Sequence, residues 1–335
     1  MGLRESRPKE PVIELESDIS IFTFDDENPE VKITVRGEEV AVETILRKAA
    51  YALNMQQRSL KYFGLFQGLH TPIRKYRAGT KVPIDTPGLS LQKWSFDPKE
   101  ETDLVKDAVA LYLACMQVRT EIEQGKLVLS EAQEEILREH DDPGFLVSMP
   151  YLEECQKMAN YSSVSLQLCE LHEDFAIGSL TIPAGSAIIL TVTQRGMHIT
   201  FQGNKYFCSW RKIKSWTRPD KDLFITFEVY SIPTDSYSFL QLETPQAPYL
   251  LSAVIEMIKI LQKETSTESF QTSDLTLDHD GTVLSWNNAV FSKSHFTAEK
   301  EMASNSTDLS TIPVAPNESG DAEVVVTDPN QKVPI

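Results

Sequence analysis

Apolar and polar residues alternate along Ile19-Ser20-Ile21-Phe22-Thr23-Phe24 and again along Val31-Lys32-Ile33-Thr34-Val35, with an acidic stretch from Asp25 to Glu30 between them. Two runs of period two joined by a polar turn predict a β-hairpin. Val42, Ile45, Leu46, Ala49 and Leu53 then recur at helical spacing, so a helix follows. Strands are predicted next over Leu60 to Phe66 and Leu89 to Trp94.

The period changes near Asp97-Pro98. From Asp103 to Gln124 the apolar positions fall on one helical face, and Gly125 supplies a stop. Ser130 is placed to cap a second helix carrying Ala132, Ile136 and Leu137, Asp142-Pro143-Gly144 breaks the chain, and Tyr151 to Asn160 forms a third helix. After Cys169 the pattern returns to strands: Ala187 to Thr193, Met197 to Phe201, Tyr206 to Trp210, Leu223 to Val229 and Tyr237 to Leu242. A long helix closes the region, with Pro248 in its first turn and Tyr249, Leu250, Ala253, Val254, Met257, Ile258 and Leu261 on its apolar face. From Thr265 periodicity gives way to Ser, Thr, Asn and Asp, a composition expected to stay disordered. The expected organisation is a flexible arm over 1–17, an α+β lobe over 18–97, a helical lobe over 98–168, a strand-rich lobe over 169–264 and a tail over 265–335.

Composition narrows the function. With 41% hydrophobic and 24% charged residues the chain can bury a core, and its net charge of −17 argues against nucleic acid as a partner, because phosphate is repelled. No Cys-x-x-Cys pair occurs among the 4 cysteines, and neither a signal peptide nor an apolar run of membrane-spanning length is seen, so reduced buried thiols in the cytoplasm are expected. Phosphate-binding loops, the Gly-x-Ser-x-Gly turn, His-Glu-x-x-His and the dinucleotide fingerprint are all missing from the sequence. His140-Asp141-Asp142 offers three metal-type ligands, but a solvated helix end accounts for them as well. The expectation is a protein without catalysis or cofactor.

Hairpin, helix and strands, then helices, then strands closed by one helix resembles the three-lobed FERM module: ubiquitin-like, acyl-CoA-binding-protein-like and PH/PTB-like lobes in that order. The local sequence sharpens the likeness. Leu60-Lys61-Tyr62-Phe63-Gly64-Leu65-Phe66, Ile73-Arg74-Lys75 and Leu91-Gln92-Lys93-Trp94-Ser95-Phe96 resemble the first lobe of the PX-FERM endosomal sorting nexins. Trp210-Arg211-Lys212-Ile213-Lys214-Ser215-Trp216 and Leu223 to Glu228 are similar to their third lobe. The likeness covers Asp18 to Glu264, with one departure: the residues before Asp18 are too few for the phosphoinositide-binding PX domain of those nexins.

That resemblance implies an adaptor for cytoplasmic tails of transmembrane proteins bearing Asn-Pro-x-Tyr or Asn-x-x-Tyr/Phe motifs, peripheral on an endosomal or plasma membrane. PTB-like lobes take an extended peptide along a strand edge. By resemblance that strand is 212–217, where Trp216 would pack on the peptide, flanked by Ile213 and Ser215, with Val254, Met257 and Ile258 as the helical wall. A buried core accounts for the apolar helix stripe better, and for Trp216 equally well. The chain also carries its own Asn-x-x-Phe, Asn288-Ala289-Val290-Phe291, which is either a self-ligand or a chance match. A structural scaffold that joins membrane and cortical cytoskeleton, or holds a transmembrane partner without a peptide groove, is the alternative.

Two features bear on membranes. Arg211, Lys212, Lys214, Arg218 and Lys221 form a basic cluster, which is either an anionic-phospholipid site or an ordinary solvated strand. Met1-Gly2-Leu3-Arg4-Glu5-Ser6 fits the N-myristoylation pattern with Gly2 as acceptor; a single acyl chain needs a second signal, and Glu5 and Glu10 weaken the basic one. At the other end Val333-Pro334-Ile335 fits a class of PDZ ligand or a frayed terminus.

Overall fold

The structure is a computed structural model that describes residues 16–139, 144–177, 180–217, 223–231, 236–266, 275–277 and 283–286. All of them lie in the first of two units, Met1–Val290; the second, Phe291–Ile335, is outside the described residues.

The predicted hairpin is β1 (Glu16–Phe22) and β2 (Glu30–Arg36), antiparallel with Ile19 opposite Ile33. After β3 (Glu39–Ala41), α1 (Val42–Ala52) buries Val42, Ile45, Ala49 and Ala50. β4 (Phe63–Gln67), β5 (Arg74–Lys75), β6 (Lys81–Pro83) and β7 (Leu89–Lys93) follow. The main sheet runs β2-β1-β7-β4-β5, with β1 parallel to β7. β4 and β7 are buried on both faces, as central strands covered on each side must be. The strand expected from Leu60 starts only at Phe63. Residues Gln57–Tyr62 form a 3-10 helix, whose three-residue turn brings Ser59 and Tyr62 to the same buried side.

The middle lobe comprises α2 (Pro98–Glu101), a 3-10 turn Thr102–Lys106, α3 (Ala108–Glu123), α4 (Glu131–Glu139) and α5 (Met149–Gln156). The single helix expected from Asp103 is therefore interrupted. Asp107 is extended (φ −142°, ψ 98°); its carboxylate accepts from the Ala110 amide at 3.3 Å and the Gln56 amide at 2.8 Å, so it starts α3 and tethers the lobe to the first. Gly125 ends α3 with φ 68°, a conformation only glycine adopts without cost. Ser130 begins α4 as predicted: its hydroxyl accepts from the Gln133 amide at 3.3 Å, and the Gln133 side chain accepts from the Ser130 amide at 3.0 Å. α5 ends at Gln156, short of the predicted Asn160.

The third lobe begins with β8 (Ser163–Leu171), a strand that runs across the boundary expected at 168/169. Its alternation is masked by a bulge: the register against the partner strand shifts, and both Gln167 and Leu168 face out. β9 (Phe175–Ile177), β10 (Leu180–Ile182), β11 (Ala187–Thr193), β12 (Gly196–Phe201) and β13 (Asn204–Ser209) follow. Gln202 and Gly203 make the β12–β13 turn at φ 48° and 78°. β14 (Ile213–Thr217), β15 (Phe224–Ser231), β16 (Ser236–Glu243) and α6 (Ala247–Ser266) complete the lobe. Within the stretch expected to be a featureless tail, two further strands occur, β17 (Leu275–Leu277) and β18 (Val283–Trp286). The sheet order is β13-β12-β11-β8-β16-β15-β14-β18-β17.

Two apolar clusters hold the lobes. One combines Ile21, Ile45 and Leu65 of the first lobe with Leu111, Leu152 and Tyr151 of the second. The other joins Phe66, Trp94 and Phe96 of the first lobe to the inner face of the third and to α6. Polar contacts lock the same seams. Lys93 and Glu101 pair at 2.6 Å with their side chains 7% and 0% exposed, and Glu101 also accepts from Tyr161 at 2.6 Å and Gln156 at 2.9 Å. Just ahead of α6, the Gln246 side chain donates to the Pro72 carbonyl at 2.8 Å, and within it the Tyr249 amide donates to the Ile73 carbonyl at 3.2 Å.

Candidate functional site: the edge of strand β14

Trp210 starts the construction. Its indole is 2% exposed and donates to the Thr193 carbonyl at 2.9 Å, fixing the 3-10 turn Trp210–Lys212 against β11. The chain leaves that turn as β14. Against β15 its register shifts between Ile213 and Ser215, so Lys214 and Ser215 both stand beside one residue, Glu228. The bulge has two consequences. Ile213 and Trp216, three apart, both turn inward, each 1% exposed. On the outer side Ser215 donates to Glu228 at 2.8 Å, while the Lys214 ammonium meets Glu228 at 2.7 Å and lies 4.9 Å over the Tyr237 ring. The hydrogen bond from Lys214 to Glu228, reinforced by its charge, holds the lysine pKa above its ordinary value.

The three expected wall residues, Val254, Met257 and Ile258, are fully buried and share one core cluster with Trp216 and Ile213. None of these five side chains reaches the surface. What β14 offers is its main chain, with Ser215 half-buried and Thr217 exposed. That edge is paired. β18 lies antiparallel to it, Ser215 opposite Ser285, Trp216 opposite Leu284 and Thr217 opposite Val283. β17 adds beyond, with Thr276 opposite Ser285. The sequence reading missed this hairpin; the signal present was a short β-prone run, Thr282-Val283-Leu284-Ser285-Trp286, inside a polar stretch.

Of the basic cluster, Arg211 is exposed, Lys212 half-buried and Lys214 engaged by Glu228. Arg218 and Lys221 lie outside the described residues, as do Gly2, His140-Asp141-Asp142, Asn288–Phe291 by sequence, and the C-terminal Val333-Pro334-Ile335. Among the described residues there is no cluster of metal-type ligands, and no helix is long and apolar enough to cross a membrane. All four cysteines are buried, free thiols.

A mixed five-stranded lobe with one helix, a helical lobe, and an antiparallel sheet closed by one C-terminal helix together define a FERM-like α+β fold. Among solved structures the chain is similar to the MyTH4-FERM MF2 domain of Dictyostelium discoideum myosin VII. A mutant of that domain shares 11% identity over 74% of this chain and 61% of its own, with a TM-score of 0.42. A second structure of the domain shares 12% identity over 74% and 58%, with a TM-score of 0.41. The chain thus spans about three fifths of the length of either. No protein-family model matches the sequence, and no curated protein matches it.

Proposed function

We propose that the chain is a non-enzymatic adaptor that takes extended cytoplasmic-tail peptides of membrane proteins along the outer edge of β14, at or near a membrane, in trafficking or signalling. One observation carries the reading: the main chain of β14 accepts an antiparallel strand on the side away from β15. Strand addition draws affinity from backbone hydrogen bonds, so it needs no exposed apolar wall. Specificity then falls to the residues at the rim, Ser215, Thr217 and Arg211. Membrane proximity would come from Arg211 and Lys212, with Gly2 acylation as a second anchor. The relationship to PX-FERM sorting nexins, and with it an endosomal role, belongs to the same proposal.

The test is fluorescence anisotropy with labelled Asn-Pro-x-Tyr and Asn-x-x-Phe peptides, using the full chain and its Ser285→Pro variant. Micromolar binding that protects the 213–217 amides from hydrogen exchange is expected for the variant. Failure of every such peptide to bind either protein removes the peptide-groove reading. The scaffold reading would then stand, and the complete burial of Val254, Met257 and Ile258 favours it.

A further inference from the structure

We infer that the cleft between the first and second lobes docks a basic segment of a partner protein, which seats an arginine side chain against Asp25 and an apolar neighbour on the cleft's apolar lining. This surface shares no residue with the β14 edge and stands independently of it.

The cleft lies where the β1–β2 turn and the end of α1 meet the first turns of α3. Its volume is about 630 Å³, within the roughly 300–1,000 Å³ usual for ligand clefts. Val31, Leu53, Val109 and Leu113 give it an apolar lining, and Asp25 and Glu30 bring carboxylates to it. Tyr112 of α3 bridges the two lobes there, donating to Asp25 Oδ1 at 3.0 Å. The turn is fixed by its own hydrogen bonds. The Thr23 amide donates to the Pro29 carbonyl at 3.0 Å, the Thr23 hydroxyl to the Asn28 carbonyl at 3.1 Å, and the Glu27 amide to Asp25 Oδ1 at 2.9 Å. A partner therefore meets carboxylates already held in place, which lowers the ordering cost of binding.

Asp25 is the residue that asks for a cation. It is 8% exposed, yet among the described residues no positive charge pairs with it, with Asp26 or with Glu27. A carboxylate withdrawn from water is costly without a countercharge. Its Oδ1 serves Tyr112 and the Glu27 amide, whereas Oδ2 has the Asn28 side chain at 3.5 Å, the outer limit of a hydrogen bond. Asp26 and Glu27, both exposed, add to the negative field. The Tyr112 hydroxyl registers it: burial, then the bond to Asp25, then the charges of Asp25, Glu27 and Asp26 push its pKa to about 12. Lys32 also lines the cleft, but its side chain is exposed and forms no ion pair with these acids.

This arrangement selects the occupant. A guanidinium is more weakly hydrated than an ammonium, and its planar fork can reach Oδ2 while Tyr112 stays on Oδ1. Further basic residues beside it meet Asp26 and Glu27, and an apolar neighbour covers the half-buried Leu53 and Val109. The net charge of −17 speeds the encounter with such a segment.

The experiment uses the full-length protein and a fluorescein-labelled peptide, Gly-Arg-Leu-Arg-Leu-Arg-Gly, followed by anisotropy at physiological salt. Wild type is compared with Asp25→Asn, Ala52→Trp and Glu131→Gln. Asparagine keeps an oxygen for Tyr112 and the Glu27 amide but loses the charge. Ala52 is exposed and lines the cleft, so tryptophan there fills the cleft without entering the core. Glu131 is an exposed acid on α4 and controls for diffuse attraction to an acidic chain. The expected result is saturable binding that Asp25→Asn weakens about thirtyfold or more, the loss typical of removing one partner of a buried charge pair. Ala52→Trp should weaken it comparably, and Glu131→Gln should leave it unchanged. Failure of the peptide to bind wild type overturns the inference. So does equal weakening by Asp25→Asn and Glu131→Gln, which is diffuse attraction, or undiminished binding by Ala52→Trp. Melting curves accompany each variant; if Asp25→Asn melts early, the Ala52→Trp result decides.

Discussion

Trp216 stands opposite Phe227 of β15 on one side and Leu284 of β18 on the other, while its indole turns into the core at 1% exposure. One residue thus belongs to the β14 ladders through its backbone and to the interior through its side chain. Trp216→Ala should lower stability by about 3–5 kcal/mol, as large-to-small changes at buried aromatics do. Trp216→Phe should cost less. Thermal melts of both decide this; an alanine variant of wild-type stability would mean the indole is not a core element. Peptide affinity should be compared at Thr217, whose side chain is exposed.

Glu101 ties the first two lobes together. It is 0% exposed and receives Lys93, Tyr161 and Gln156. Removing one partner leaves the others buried without compensation, at a cost of about 3–5 kcal/mol. Glu101→Ala should therefore unfold at markedly lower denaturant than wild type. The double variant Glu101→Leu with Lys93→Met should recover part of that loss, because it removes both charges. No recovery in urea titrations would show that the pair is not acting as a unit.

Gln246 makes a comparable seam at one hydrogen bond. It is 4% exposed and supplies the donor for the Pro72 carbonyl at 2.8 Å. Gln246→Ala should cost about 1–3 kcal/mol, the penalty for an unmet buried acceptor. Amide exchange in residues 72–75 should rise with it, and unchanged protection there would rule out a role in joining α6 to the first lobe.

Glu228 neutralises Lys214 on the rim of β14. Glu228→Gln should free that lysine and increase co-sedimentation with vesicles containing anionic phospholipid, an effect that fades as salt is raised. If binding to such vesicles is the same for both proteins, the basic rim makes no headgroup site.

The thiols set an alkaline limit. Burial lifts Cys115, Cys155 and Cys208 from their ordinary 9.0 to about 12, and Cys169 to about 11. The fold thus prefers each protonated thiol. Below pH 9 that stabilisation is fully present; as pH rises, the unfolded chain sheds these protons first, and the contribution is lost as pH approaches 11 to 12. Melting temperature should fall steadily above pH 9. At pH 8 a thiol reagent should label the native protein only as fast as it opens, and rapid labelling of all four would contradict their burial.

Local periodicity was enough to draw most elements, because a strand or helix with one buried face must repeat its apolar residues at that element's own period. The β1–β2 hairpin, α1, β11, β12, β15 and α6 were legible for that reason. Competition between distant residues was not legible. Asp107 breaks the first long helix because it also serves the Gln56 amide, fifty-one positions away. Bulges in β8 and β14 shift the alternation through their partner strands, which hid the start of the third lobe and turned Trp216 inward.

The sequence by itself determined the three-lobed order of strands and helices. Tertiary structure alone decided that Ile213, Trp216, Val254, Met257 and Ile258 are core and that the outer edge of β14 pairs with β18. Both outcomes depend on which surfaces meet across long separations, and a one-dimensional pattern of apolar residues carries the need for burial without naming the partner.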